Sequence, residues 1–97
     1  MIGKQTEETR EAIRATGESL TELLLEKNRR YGDAALHPPR IFGKSNATDS
    51  IGVRLDDKLG RVANAPEPRR NDVADIMGYL VLYCVARGWT DFSDLID

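Results

Sequence analysis

The chain has 97 residues, 40% hydrophobic and 31% charged, with 14 Lys+Arg against 16 Asp+Glu and a formal net charge of −2. That composition suits one soluble globular domain spanning residues 1–97, and the charge excludes bulk attraction to nucleic acid or to an anionic membrane. The single cysteine, Cys84, excludes an internal disulfide and reads as core packing.

In chain order, Met1 to Lys4 are expected to fray, and a first helix is predicted from Thr6 to Arg30. Ile13, Leu20 and Leu24, with Leu23 beside them, form its apolar stripe, and Gly17 lies close to it. Glu22 has Glu18, Ser19, Leu25 and Glu26 as same-face neighbours and no base among them. Such like charges destabilise a helix by a few tenths of a kcal/mol, a cost that solvent could absorb or a bound cation could remove. Glu26 can instead pair with Arg29 or Arg30. The helix should stop at Tyr31-Gly32, where glycine accepts the left-handed conformation.

Asp33 to Ser45 reads as a loop, because His37-Pro38-Pro39 cannot continue a helix. It is either a lid or a docked connector, with Leu36, Ile41 and Phe42 as anchors and no chemical role for His37. Gly43-Lys44-Ser45 is rejected as a phosphate loop: Pro38 stands where the first glycine is required, and no strand precedes it. Capping residues at Asn46 to Asp49 open a second helix, about Ser50 to Ala63, with Ile51, Leu55, Leu59 and Val62 as its stripe. Arg54, Lys58 and Arg61 form a separate ridge at i, i+4, i+7, with Asp57 placed to pair with Arg61. The ridge is either a solvated salt-bridge face or a set of cations aimed at phosphates.

Asn64 to Pro68 is a turn. The stretch Asn71 to Gly88 then forms a third helix, with Arg69 and Arg70 at its start. Asp72, Asp75 and Tyr79 share one face, and the two aspartates suit the helix's positive end as caps or as ligands. From Ile76 to Ala86 the run is uncharged, and beyond Tyr79 it is apolar on every side, so it must be buried all round. It is too short to cross a bilayer, which takes ~20 apolar residues. A small chain has little to wrap it with, which predicts self-association. Thr90 is the expected cap of a short final helix, with Trp89, Phe92, Leu95 and Ile96 docking on the core. The predicted fold is all-α: a small bundle of three main helices plus a short C-terminal helix, its core completed by oligomerisation. A polar N-terminus without an apolar export segment predicts a cytoplasmic protein of a bacterium or a phage-infected cell.

Carboxylates on facing helices can hold a hard cation such as Mg²⁺, and neighbouring bases can hold the phosphates it bridges. No Cys/His pattern for zinc and no nucleophile set is present. Three motifs, KNRRYGD (Lys27 to Asp33), RLDDKLGR (Arg54 to Arg61) and DVADIMGY (Asp72 to Tyr79), together resemble the phage and bacterial family called nucleotide modification associated domain one, with its MazG-like relatives. The shared pattern falls on Lys27, Tyr31, Gly32, Asp57, Lys58, Arg61, Asp72, Asp75, Gly78 and Tyr79. The resemblance implies an all-α, Mg²⁺-dependent nucleoside triphosphate pyrophosphatase that works as a homo-oligomer. It implies Glu22, Glu26, Asp72 and Asp75 as the metal-binding and catalytic acids. The nucleotide would be held by Lys27, Tyr31, Arg54, Lys58, Arg61 and Tyr79.

The chain departs from the wider group in its acids. Glu22 and Glu26 stand where Glu-Glu-x-x-Glu is usual, and Asp-x-x-Asp replaces Glu-x-x-Asp. Two expectations therefore stand side by side. One is a metal-dependent pyrophosphohydrolase acting on a (d)NTP or modified nucleotide. The other is a non-catalytic phage nucleotide-binding protein that sequesters a nucleotide signal of host defence. Neither involves a membrane or direct contact with nucleic acid.

Overall fold

A computed structural model describes residues 2–32, 36 and 46–96. The described chain is all-α: α1 (Ile2–Tyr31), α2 (Ala47–Asn64), α3 (Arg70–Arg87) and a short 3₁₀ turn, Ser93–Leu95. It divides into two compact units, Met1–Gly32 and Asp33–Asp97. No helix among the described residues is long and apolar enough to cross a membrane.

The first unit is α1. It begins at Ile2, ahead of the expected start at Thr6 and inside the segment expected to fray. No proline or strong turn signal lies between Ile2 and Thr6 to stop the helix from extending. Side-chain pairs one turn apart tie it: Arg14 to Glu11 at 2.8 Å, and Glu26 to both Arg29 and Arg30. Gly32, at φ +63, ends it as the sequence predicts. Among the described residues nothing outside the helix's own backbone comes within 4 Å of a side-chain carbon built at Gly17.

The second unit pairs α2 with α3. Asn46 caps α2: its side chain accepts a hydrogen bond from the Asp49 amide at 2.9 Å, and the Thr48 hydroxyl donates to the same oxygen at 2.7 Å. The helix therefore starts at Ala47, three residues before the predicted Ser50. After Asn64 the two prolines of the turn prevent continuation. The helices run antiparallel, since Lys58 reaches Asp75 while Arg54, a turn earlier on α2, meets Tyr79, a turn later on α3. At the far end Gly88 takes φ +76 and closes a Schellman cap. Its amide donates to the Val85 carbonyl at 3.0 Å, and the Trp89 amide donates to that of Cys84 at 2.8 Å.

Three expectations are corrected in this unit. Leu59 is 51% exposed and lies outside the stripe that faces α3. The inward row is Ile51, Leu55, Lys58 and Val62, at i, i+4, i+7 and i+11; Ile51 is only 1% exposed and the other three are half-buried. The apolar part of α3, expected to exceed what one chain can cover, has Leu80, Val81 and Val85 50%, 40% and 45% exposed. One partner helix can cover only one face of it. Second, Thr90 does not cap the final turn. Asp91 does the nearest equivalent, accepting from the Ser93 amide at 2.9 Å, and this bond holds its carboxyl below the usual range. Third, the tail residues Phe92, Leu95 and Ile96 remain exposed instead of docking.

Candidate functional site at the face between α2 and α3

The inward face of α3 carries Asp72, Asp75 and Tyr79 at i, i+3 and i+7, as the sequence spacing predicts. Asp72 lies in the first turn and is only 6% exposed. A carboxylate there sits against the positive end of the helix, which offsets part of the cost of burying it. Asp75, one turn on, receives the Lys58 ammonium of α2: Nζ lies 3.0 Å from Oδ2, with side-chain exposures of 18% and 27%. Lys58 reaches it because it holds an inward position in the α2 row. Its methylene stem packs among the apolar residues and its charge finds a counter-ion on the facing helix.

A turn further along, the Arg54 guanidinium lies 6.0 Å from the centre of the Tyr79 ring, at the outer limit for a cation–π contact. Among the described residues Arg54 has no acidic partner. Arg61 bonds to Asp57 at 3.3 Å on its own helix, with more than half of each side chain in solvent. Such a pair holds neither group firmly. The three cations thus differ: Lys58 is tied across the interface, Arg61 is loosely tied, and Arg54 offers its donors.

Four of the ten sequence-predicted site residues, Arg54, Lys58, Asp75 and Tyr79, meet directly as these two pairs. Asp72 and Arg61 flank them on the same two helices. The remaining four belong to α1. Glu22 and Lys27 are exposed, and Tyr31 is 70% exposed. Both oxygens of Glu26 are engaged, accepting from Arg29 at 2.6 and 3.0 Å and from Arg30 at 2.9 Å. The two guanidinium groups hold its carboxyl below the usual value, Arg29 most strongly, and the Glu26 carboxylate in return holds the Arg29 guanidinium more firmly protonated.

The sequence assigned Lys58 to phosphate and Asp75 to metal. Their pairing with each other is the feature that reading missed. The seven-residue spacing of Lys58 from Ile51 puts it on the inward row, but that spacing names no partner on α3. Among the described residues no three His, Cys, Asp or Glu side chains gather as a metal cluster. Comparison with family models, curated proteins and solved structures returns no match for this chain.

Proposed function

We propose that the paired α2 and α3 helices bind a nucleotide through its phosphates and hold it without cleaving it. The observation that carries this reading is the Lys58–Asp75 bridge at 3.0 Å with Arg54 beside it. The bridge fixes one ammonium at the interface and engages the aspartate that a metal ion would need. Arg54 brings a planar fork of donors matched to phosphate oxygens, and Arg61 can exchange its solvated partner for a more highly charged one. Tyr79 offers a ring face for a base or sugar. The order and spacing of the three motifs that resemble the nucleotide modification associated family support the same ligand class. A phage or bacterial protein of this kind would act by sequestering its ligand. Self-association belongs to the same proposal, since α2 covers only one face of an α3 that is apolar all round in its C-terminal half.

A second reading is Mg²⁺-dependent pyrophosphohydrolysis, and the buried Asp72 one turn from Asp75 favours it. Two carboxylates are as many as Mg²⁺ ordinarily takes from protein when substrate phosphates and water complete its shell. Asp72 and Asp75 would hold the ion. The ion would polarise a phosphoryl group. Asp75 must then release Lys58.

A thermal-shift screen against (d)NTPs and cyclic dinucleotides, with and without Mg²⁺, separates the two when each stabilised sample is checked chromatographically for product. A true ligand raises the melting temperature by mass action. Metal-independent stabilisation with intact ligand, lost in Arg61→Ala and kept in Asp75→Asn, is the expected result. Pyrophosphate release that needs Mg²⁺ and disappears in Asp75→Asn would replace the first reading by the second. No shift with any nucleotide would overturn both.

A further inference from the structure

The side of α3 turned away from α2 is a continuous apolar face. Val73, Leu80, Val81 and Val85 are 38%, 50%, 40% and 45% exposed along it, with Met77 and Cys84 between them and no charged residue among them. A second apolar surface follows at the end of the same helix. The Trp89 ring packs edge-on against Tyr83 at 6.0 Å and under the Arg87 guanidinium at 4.8 Å, which pins the start of the tail to the end of α3. Beyond that pin, Phe92, Leu95 and Ile96 are 51%, 69% and 82% exposed. The tail is thus held where its own chain gives these three residues little cover.

We infer that a second copy of this chain occupies the outward face of α3, in a two-fold arrangement that lays the apolar tail of each subunit on the α3 face of the other. Three observations select a second copy as the occupant. Face and tail are consecutive along the chain, so an antiparallel pairing satisfies both twice, as a self-complementary two-fold contact requires. With Trp89, 48% exposed, the two surfaces together offer on the order of 700 Å² of apolar area per subunit, close to what each partner contributes to an ordinary stable interface. Charge also favours it. Arg69 and Arg70 stand at the start of α3, and Asp91 and Asp94 lie in the tail beyond Arg87, so antiparallel copies bring the two arginines of one toward the two tail aspartates of the other.

Sedimentation velocity across low- to high-micromolar protein tests this on the wild type, on Leu80→Glu and on a tail variant, Leu95→Ser with Ile96→Ser. All three substituted positions are at least half exposed, so helicity by circular dichroism should not change. The wild type should associate. Each variant should weaken association by more than about tenfold, because the face variant buries an unpaired carboxylate and the tail variant removes its two most exposed anchors. Mixing the two variants should recover partial association, since the intact tail of one meets the intact face of the other. A monomeric wild type would overturn the proposal. So would association that both variants leave unchanged, or a mixture that behaves as the sum of its parts.

Discussion

The Lys58–Asp75 bridge is where a single substitution separates charge from packing. Lys58→Met keeps most of the stem among Ile51, Leu55 and Val62 but takes the ammonium from a carboxylate that is only 27% exposed. The expected cost is roughly 1–3 kcal/mol, that of a partly buried charge deprived of its counter-ion. Replacing both groups, Lys58→Met with Asp75→Leu, should recover most of that loss, because neither charge is then left unmatched. Urea melts of the two single variants and the double variant close the cycle, and simple additivity would contradict the coupling. Glu26 behaves differently, being on the surface. Its folded carboxyl is held below the ordinary 4.5 by Arg29 and Arg30, so its contribution is present above that value and is lost as pH falls through the lowered one. An NMR titration of its side-chain carbon should give a midpoint below 4.5 that returns toward it in Arg29→Gln/Arg30→Gln or in strong salt.

At the scale of the element, glycines in and beyond the helices make opposite predictions. Gly60 lies inside α2 with no other atom within 4 Å of an added side-chain carbon, so Gly60→Ala gains helix propensity without a clash. It should stabilise by about 0.5–1 kcal/mol, or roughly 3–6 °C in Tm. Gly88 also has open space, but its φ of +76 strains any side chain, and Gly88→Ala should destabilise by about 1 kcal/mol. Equal shifts in a thermal melt would refute the distinction. The caps at Asn46 and Gly32 were legible in the sequence because they are local, acting on amides and carbonyls within a few residues. Lys58 was not legible in that way. The stripe reading preferred Leu59 because burying a lysine makes sense only once Asp75 is known to lie opposite, and nothing in the sequence of α2 states that. Thr90 lost its expected role to Asp91, whose carboxylate is the stronger acceptor two residues before the turn. The expectations for His37, Ile41, Phe42 and Gly43 fall outside the described residues.

For the whole molecule, the sequence was right that α3 carries more apolar surface than a chain of this size covers, but wrong that the tail would cover part of it. Leu80, Val81 and Val85 turn outward because α2 takes the side bearing Asp72, Asp75 and Tyr79, and among the described residues of that unit no further helix covers the other angles. The consequence is thermodynamic. If folding and association share that surface, the melting temperature must depend on protein concentration, which a monomer's does not. A hundredfold rise in concentration is worth about 2.7 kcal/mol per dimer, or roughly half that per chain, which corresponds to an increase of roughly 5–10 °C for a domain of this length. Leu80→Glu should melt lower than the wild type and at one temperature whatever the concentration. A wild type whose Tm is equally insensitive would mean that these side chains face water at little cost, as scattered surface leucines and valines commonly do. The continuity of the face is the reason to expect otherwise: the exposed side chains recur every turn along one helix with no charge between them.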